Sequence, residues 1–273
     1  MPRLVTVRSA LVAVWLGVGL LSPRPTAWAD DCPAPPVVDL ATRLQVGLQD
    51  DAVFGVPAAE VSSVFYPVTQ ARALPADFGP DDLVRTAIGS APQGSMPVRR
   101  LIVPDLEAMF AAARADGVVL GIVSGYRSYA SQAALFDAAV RQQVAQGADR
   151  ADAEARVNRF RARPGHSQHQ LGTTVDLTSP EASNALGQRF DQSSAARWLH
   201  EHAAEYGFVI PYTEDDEPYT GYANEPWHVR WVGRDLAAFM MADGYLDRPT
   251  PTADDYLVAL DALLSGAVAS CGG

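Results

Sequence analysis

Two short stretches of alternating residues constrain this chain more than anything else in it. Over 173–178, Val175 and Leu177 alternate with Thr174, Asp176 and Thr178; over 227–232, Trp227, Val229 and Trp231 alternate with His228 and Arg230. A period of two marks a strand with one face turned to the core. The pattern therefore places Asp176 away from the core side and His228 on the polar face of its own strand. His169 lies seven residues before Asp176, with Gly172 between them to let the chain turn. Two imidazoles and one carboxylate make a catalytic zinc set that leaves a fourth position for water. The helical His-Glu-x-x-His signature is absent, so such ligands come from strands and loops.

Two further residues extend this set. Glu225 stands three residues before His228, close enough to work beside a metal as a general base without binding it. Arg127, at the end of an apolar run and unable to lose its proton, suits stabilisation of an oxyanion or a carboxylate. Singly, each has a plainer reading. A lone histidine is more often a hydrogen-bonded core or surface group, Asp176 a turn residue, Glu225 a solvated acid and Arg127 half of a structural ion pair. The joint pattern is what points to metal-assisted hydrolysis. His166 adjoins the set and is a candidate for orienting a ligand or substrate. His200 and His202 fall on a helix away from it and read as structural or solvent-exposed.

Around these motifs the elements are mixed. Leu106, Met109, Phe110 and Ala113 recur at helical spacing up to about Ala115, and 118–123 reads as a strand. Ser128 caps a helix running to about Ala145, with Leu135, Phe136 and Val140 on its inner face. A solvated, arginine-rich helix is expected over 152–161, an amphipathic helix over 193–206 closed by Gly207, and a strand at 208–210. The acidic Glu214-Asp215-Asp216-Glu217 run reads as a solvated rim of a cleft. Helices over 234–242 and 253–264, the second capped by Thr252, complete the pattern. Crossovers are too few for a parallel sheet, so the expected fold is α+β, with a small antiparallel sheet flanked by helices and the zinc site on the sheet face. The divisions are 1–29, a Pro- and Gly-rich lead-in at 30–97 with at most short helices, a zinc domain at 98–245, and a C-terminal helix and tail at 246–273.

The N-terminal residues address the compartment. Arg3 and Arg8 precede an apolar run over 10–21, and Ala27-Trp28-Ala29 offers a cleavage site, the pattern of a secretory signal peptide. That run is too short to span a membrane comfortably, so no stable membrane insertion is expected after cleavage. An exported chain meets an oxidising environment, and pairing of Cys32 with Cys271 is the expected state. The formal charge of −11 excludes nucleic-acid binding through the net field, the more so once three arginines leave with residues 1–29.

Three motifs stand in order: Ser124-Gly125-Tyr126-Arg127-Ser128-Tyr129 with Gln132; Pro164-Gly165-His166-Ser167-Gln168-His169-Gln170-Leu171-Gly172 running on to Asp176; and Glu225-Pro226-Trp227-His228. Together they resemble the VanY-type D-alanyl-D-alanine carboxypeptidases, relatives of the VanX dipeptidases and of L,D-carboxypeptidases, over about 74–242. The resemblance implies Zn2+ on His169, Asp176 and His228, Glu225 as catalytic base, and Arg127, Gln132 and Ser167 holding the terminal D-alanine or polarising its carbonyl. It implies a secreted, extracellular or wall-associated hydrolase of peptidoglycan stem peptides. L,D-carboxypeptidase or endopeptidase action shares the same residues, and a zinc-containing wall-binding module without turnover is the rival from another class. Two departures stand out: Gln168 occupies a position where an acid is common, and Thr173-Thr174 replaces an apolar-Ala pair.

Overall fold

A computed structural model describes residues 35–266, except 50, 87, 89–94 and 248. The expected leader at 1–29 and both cysteines of the expected disulfide lie outside the described residues. Helix α1 (Pro35–Leu44) is followed by a hairpin of β1 (Ala52–Val53) and β2 (Val56–Pro57) and by α2 (Ala58–Val64). A second hairpin, β3 (Leu83–Thr86) with β4 (Met96–Arg99), leads into α3 (Val103–Ala115). There follow β5 (Gly121–Ser124), α4 (Tyr129–Ala145), α5 (Arg150–Asn158), β6 (Thr174–Thr178) and α6 (Gln188–Asp191). The remaining elements are α7 (Ser194–His202), β7 (Phe208–Val209), α8 (Glu217–Thr220), β8 (His228–Trp231), α9 (Arg234–Ala242) and α10 (Ala253–Leu264). Strands β5, β6, β8 and β7 pair antiparallel in that order. The fold is thus α+β around a small antiparallel sheet.

Local chemistry explains the element ends. Ser128 Oγ accepts from the Ser131 amide at the start of α4, and Ser193 Oγ from that of Ala196 at the start of α7. Thr252 and Asp255 form a reciprocal capping box on α10. The α7 stretch tightens into a 3-10 turn over Ala203–Tyr206 and stops at Gly207, whose φ of +81° suits a residue without Cβ.

The core gathers the inner faces of α1, α3, α7, α9 and α10 and one side of the central sheet, including Leu106, Met109, Val175, Leu177, Val229 and Leu257. The 30–97 segment contributes to this core. Helix α1 packs on α10 and buries Leu40, Ala41 and Leu44. A helix this short is marginal alone, and each buried leucine stabilises it by about 1.5–3 kcal/mol. Its partner lies at the other end of the chain, which is why local pattern understates it.

Three expectations need correction. Leu135 is 41% exposed, because α4 meets α5 through Phe136 and Val140 against Ala153 and Val157, and Leu135 falls off that stripe. For the same reason α5 is only half solvated. The acidic run is solvated only in its first half: Glu214 and Asp215 are exposed, whereas Asp216 is buried and accepts from the Thr213 amide, and Glu217 pairs with Arg159.

Candidate active site

The sheet register builds the site. Asp176 faces His228 across β6 and β8, and Ser124 on β5 faces Asp176 from the other side. That second pairing depends on a register shift between Ile122 and Ser124, a bulge that re-aims the end of β5. Asp176 does lie opposite Val175 and Leu177, but every residue of β6 is buried, and of its polar face Asp176 lines a cleft rather than a solvated surface.

His169 enters from a 3-10 turn, Gln168–Leu171, that ends at Gly172 with φ +73°. A Cβ on Gly172 would stand 2.9 Å from Arg99 Cγ, so any side chain here would force the turn or the Arg99 side chain to shift. Residues 74–99 clamp this loop: Gly172 O accepts from the Arg99 amide, Gly165 O from the Leu74 amide, and Gln170 Nε2 donates to Pro75 O and Phe78 O. His166 lines the cleft and its Nδ1 lies 2.8 Å from Thr69 O.

His169, Asp176 and His228 converge, each offering one ligand atom, with all three atoms within 4.8 Å of one another. His169 Nδ1 lies 2.8 Å from Gly125 O, a carbonyl that only accepts, so Nδ1 carries the hydrogen and Nε2 turns its lone pair toward Asp176 Oδ2 at 3.2 Å. His228 Nε2 lies 3.1 Å from Gln168 Oε1, so its Nδ1 lone pair points at Asp176 Oδ1 at 3.3 Å and Glu225 Oε2 at 3.5 Å. Asp176 Oδ1 is buried with no hydrogen-bond partner. Two lone pairs and a carboxylate aimed at one point call for a cation between them. Two imidazole nitrogens and one carboxylate oxygen this close together suit zinc with an open position. Burial pushes the Asp176 carboxyl up, but positive charge and donated hydrogen bonds on the His169 and His228 side, where the lone pairs leave room for a cation, more than offset this and hold it well below the usual range.

Glu225 lies beside these atoms, and burial pushes its carboxyl up to about 7 against the pull of His228. Arg127 Nη2 stands 3.6 Å from Asp176 Oδ2 and donates to Ser124 Oγ, while Nη1 donates to Gln132 Oε1 at 2.9 Å. The other end of Gln132 donates to Ala162 O at 2.5 Å, so each end of its amide has a partner within the protein. Ser167 is buried and lines the cleft.

Other residues the sequence reading missed also take part. Arg161 lines the cleft and acts electrostatically on both Glu225 and Arg127. The Tyr212 ring lies 5.1 Å from that of His228. Gln168 Nε2 donates to Asp254 Oδ1 on α10 at 3.2 Å. No spacing signal connects Asp254 to the motifs, because α10 reaches the site only through tertiary packing. Arg230, by contrast, is fully buried outside the cleft and donates to Val64 O and Tyr66 O. His202 pairs with Glu205 away from the site.

A family model described as VanY, D-alanyl-D-alanine carboxypeptidase, matches residues 96–234. The chain is 39% identical to a D-alanyl-D-alanine carboxypeptidase of Enterococcus faecalis over 143 residues, 52% of this chain and 51% of that relative. It spans between 51% and 60% of the length of the first curated relatives it matches. Among solved structures it is similar to the LdcB LD-carboxypeptidase at 32% identity and TM-score 0.58, covering 65% of this chain and 80% of that one. A vancomycin-resistance D,D-pentapeptidase VanY solved with Zn(II) gives 32% identity and TM-score 0.55, covering 67% of this chain and 95% of that one. VanYB in complex with D-Alanine-D-Alanine gives 32% identity and TM-score 0.56, covering 66% and 93%.

Proposed function

Because this chain belongs to the VanY family of D-alanyl-D-alanine carboxypeptidases, we propose that it is a secreted zinc hydrolase releasing the C-terminal D-amino acid of peptidoglycan stem peptides. The observation that carries this reading is the convergence of His169 Nε2, His228 Nδ1 and the Asp176 carboxylate beside a buried Glu225. Zinc held there would supply Lewis acidity, polarising the scissile carbonyl and acidifying water in its sphere.

The remaining steps belong to the chain's own residues. Glu225 Oε2 takes a proton from the attacking water as the C–O bond forms, and returns it to the leaving amine as the C–N bond breaks. Arg127, held by Ser124 and Gln132, offers a fixed charge to the developing oxyanion or to the terminal carboxylate. Gln132 acts through Arg127, since both ends of its amide are used within the protein. Ser167 and Arg161 line the path of the terminal residue.

A D,D preference is supported by the family description and by the relative from Enterococcus faecalis. The similarity to LdcB supports a second reading, L,D-carboxypeptidase action on a tetrapeptide stem, with the same catalytic residues. The combination of Glu225 with Arg127 in one cleft argues against a binding module without turnover. Export is supported by the pattern of residues 1–29, and among the described residues no helix is long and apolar enough to cross a membrane. Release of free D-alanine from a synthetic stem ending in D-Ala-D-Ala, assayed for wild type and Glu225→Gln, tests the proposal. Turnover by wild type and its collapse in the variant are expected; equal rates would overturn it.

A further inference from the structure

The side-chain network behind His228 reaches beyond the residues 96–234 matched by the family. His228 Nε2 faces Gln168 Oε1 at 3.1 Å, and Gln168 Nε2 faces Asp254 Oδ1 at 3.2 Å. Gln168 is 1% exposed and Asp254 7%, so neither has bulk water as a competing partner. An amide can be turned either way: with oxygen toward His228 it accepts from Nε2–H, and with nitrogen toward His228 it donates to Nε2. The second arrangement would put the imidazole hydrogen on Nδ1, where it would block the atom aimed at Asp176. Burial pushes the Asp254 carboxyl up to about 7 while Arg230 pulls it back; the ionised carboxylate accepts and does not donate, and in that form Asp254 admits only the first arrangement.

We propose that Asp254, through Gln168, is a positioning residue that fixes the His228 tautomer with a free Nδ1, making helix α10 a working part of the metal site. The inference rests on the zinc reading of that site. The three residues form a proton-free relay: Asp254 holds the Gln168 amide, the amide holds Nε2–H, and Nδ1 is left as a ligand atom. Outer partners of metal-bound histidines set ring orientation and tautomer in this way. Here the carboxylate stands one side chain farther out, with the Gln168 amide interposed between it and the imidazole. Asp254 also interacts electrostatically with the buried guanidinium of Arg230, so replacing it disturbs more than the relay. Gln168 can be changed without touching that pair.

The test compares wild type with Gln168→Met, Asp254→Ala and Asp254→Asn. Zinc affinity is read by competition with a chromophoric chelator, and the His228 tautomer by 15N–1H correlation of the metal-free proteins. Gln168→Met and Asp254→Ala are expected to weaken zinc binding by about 10- to 100-fold and to move the His228 hydrogen from Nε2 toward Nδ1. Asp254→Asn keeps an acceptor oxygen and is expected to retain Nε2–H and most of the affinity. Unchanged affinity and tautomer in Gln168→Met overturns the proposal, as does loss of zinc in Asp254→Ala with Nε2–H retained, which would assign Asp254 a role in packing alone. If Asp254→Ala does not fold, Gln168→Met decides. Failure of wild type to bind zinc would instead overturn the zinc reading, and the tautomer measurement would still judge the relay.

Discussion

Asp176 and His228 are cross-strand partners on β6 and β8, and that register sets the Asp176 Oδ1 and His228 Nδ1 atoms 3.3 Å apart. Neighbouring strands fix such a separation far better than a loop does, so the sheet itself sets the distance between two candidate ligands. Replacing Asp176 by Asn keeps the shape and removes the charge. Zinc affinity should fall by more than the roughly 10- to 100-fold that outer partners typically cost. Metal content after dialysis at fixed free zinc checks this, and retained stoichiometric zinc would contradict it.

Glu225 lies 3.5 Å from His228 Nδ1 without joining the three-residue ligand set. Glu225→Gln should therefore keep its zinc and lose kcat by about 100- to 10,000-fold, the usual contribution of a positioned base. Loss of zinc in this variant would reassign Glu225 as a ligand.

The same carboxyl sets a pH dependence. Burial pushes Glu225 up to about 7, and only its ionised form accepts a proton. Activity should thus be present above that pKa and be lost as pH falls through it. A bound cation favours the ionised form and moves the midpoint to lower pH. The acid limb of kcat/KM is expected at or below about pH 7, with Glu225→Asp shifting it. A flat profile down to pH 4, with the protein still folded, would exclude this role.

Arg127 is held by two acceptors, Ser124 Oγ and Gln132 Oε1. Lysine cannot reproduce that fork. Arg127→Lys should reduce kcat/KM by about 100- to 1,000-fold, in the range of a lost oxyanion donor. Gln132→Leu should produce a smaller loss in the same direction, since it only loosens Arg127. Steady-state kinetics on one substrate measures both, and a larger effect from Gln132→Leu would reverse the assignment.

Gly172 offers a test of the scaffold. Its φ is +73°, and a Cβ would lie 2.9 Å from Arg99 Cγ and 3.1 Å from Leu83 Cδ2. Gly172→Ala should cost about 1–3 kcal/mol of stability from backbone strain, with added cost from the clash. Urea denaturation of the zinc-free proteins measures it.

Much of this architecture was legible in sequence because it is locally written. The alternation in 173–178 and 227–232 gives strand, face and the direction of Asp176 and His228; Ser128 and Thr252 announce their helices. What stayed hidden depends on distant pairing. The bulge that sets Ser124 opposite Asp176 follows from sheet geometry, not composition. Helix α1 and Asp254 matter only because the two ends of the described chain meet, so no window of neighbouring residues could register them. Arg230 shares its strand face with His228, yet its side chain serves backbone carbonyls of the 30–97 segment rather than the cleft.

The most direct measurement is release of free D-alanine from two synthetic stems, a pentapeptide ending in D-Ala-D-Ala and a tetrapeptide ending in a single D-Ala, with and without prior removal of zinc by a chelator. The account predicts release from the pentapeptide that chelation abolishes and added zinc restores. Release from the tetrapeptide alone would transfer the activity to the L,D class, and release from neither, or release unaffected by chelation, would contradict a zinc carboxypeptidase.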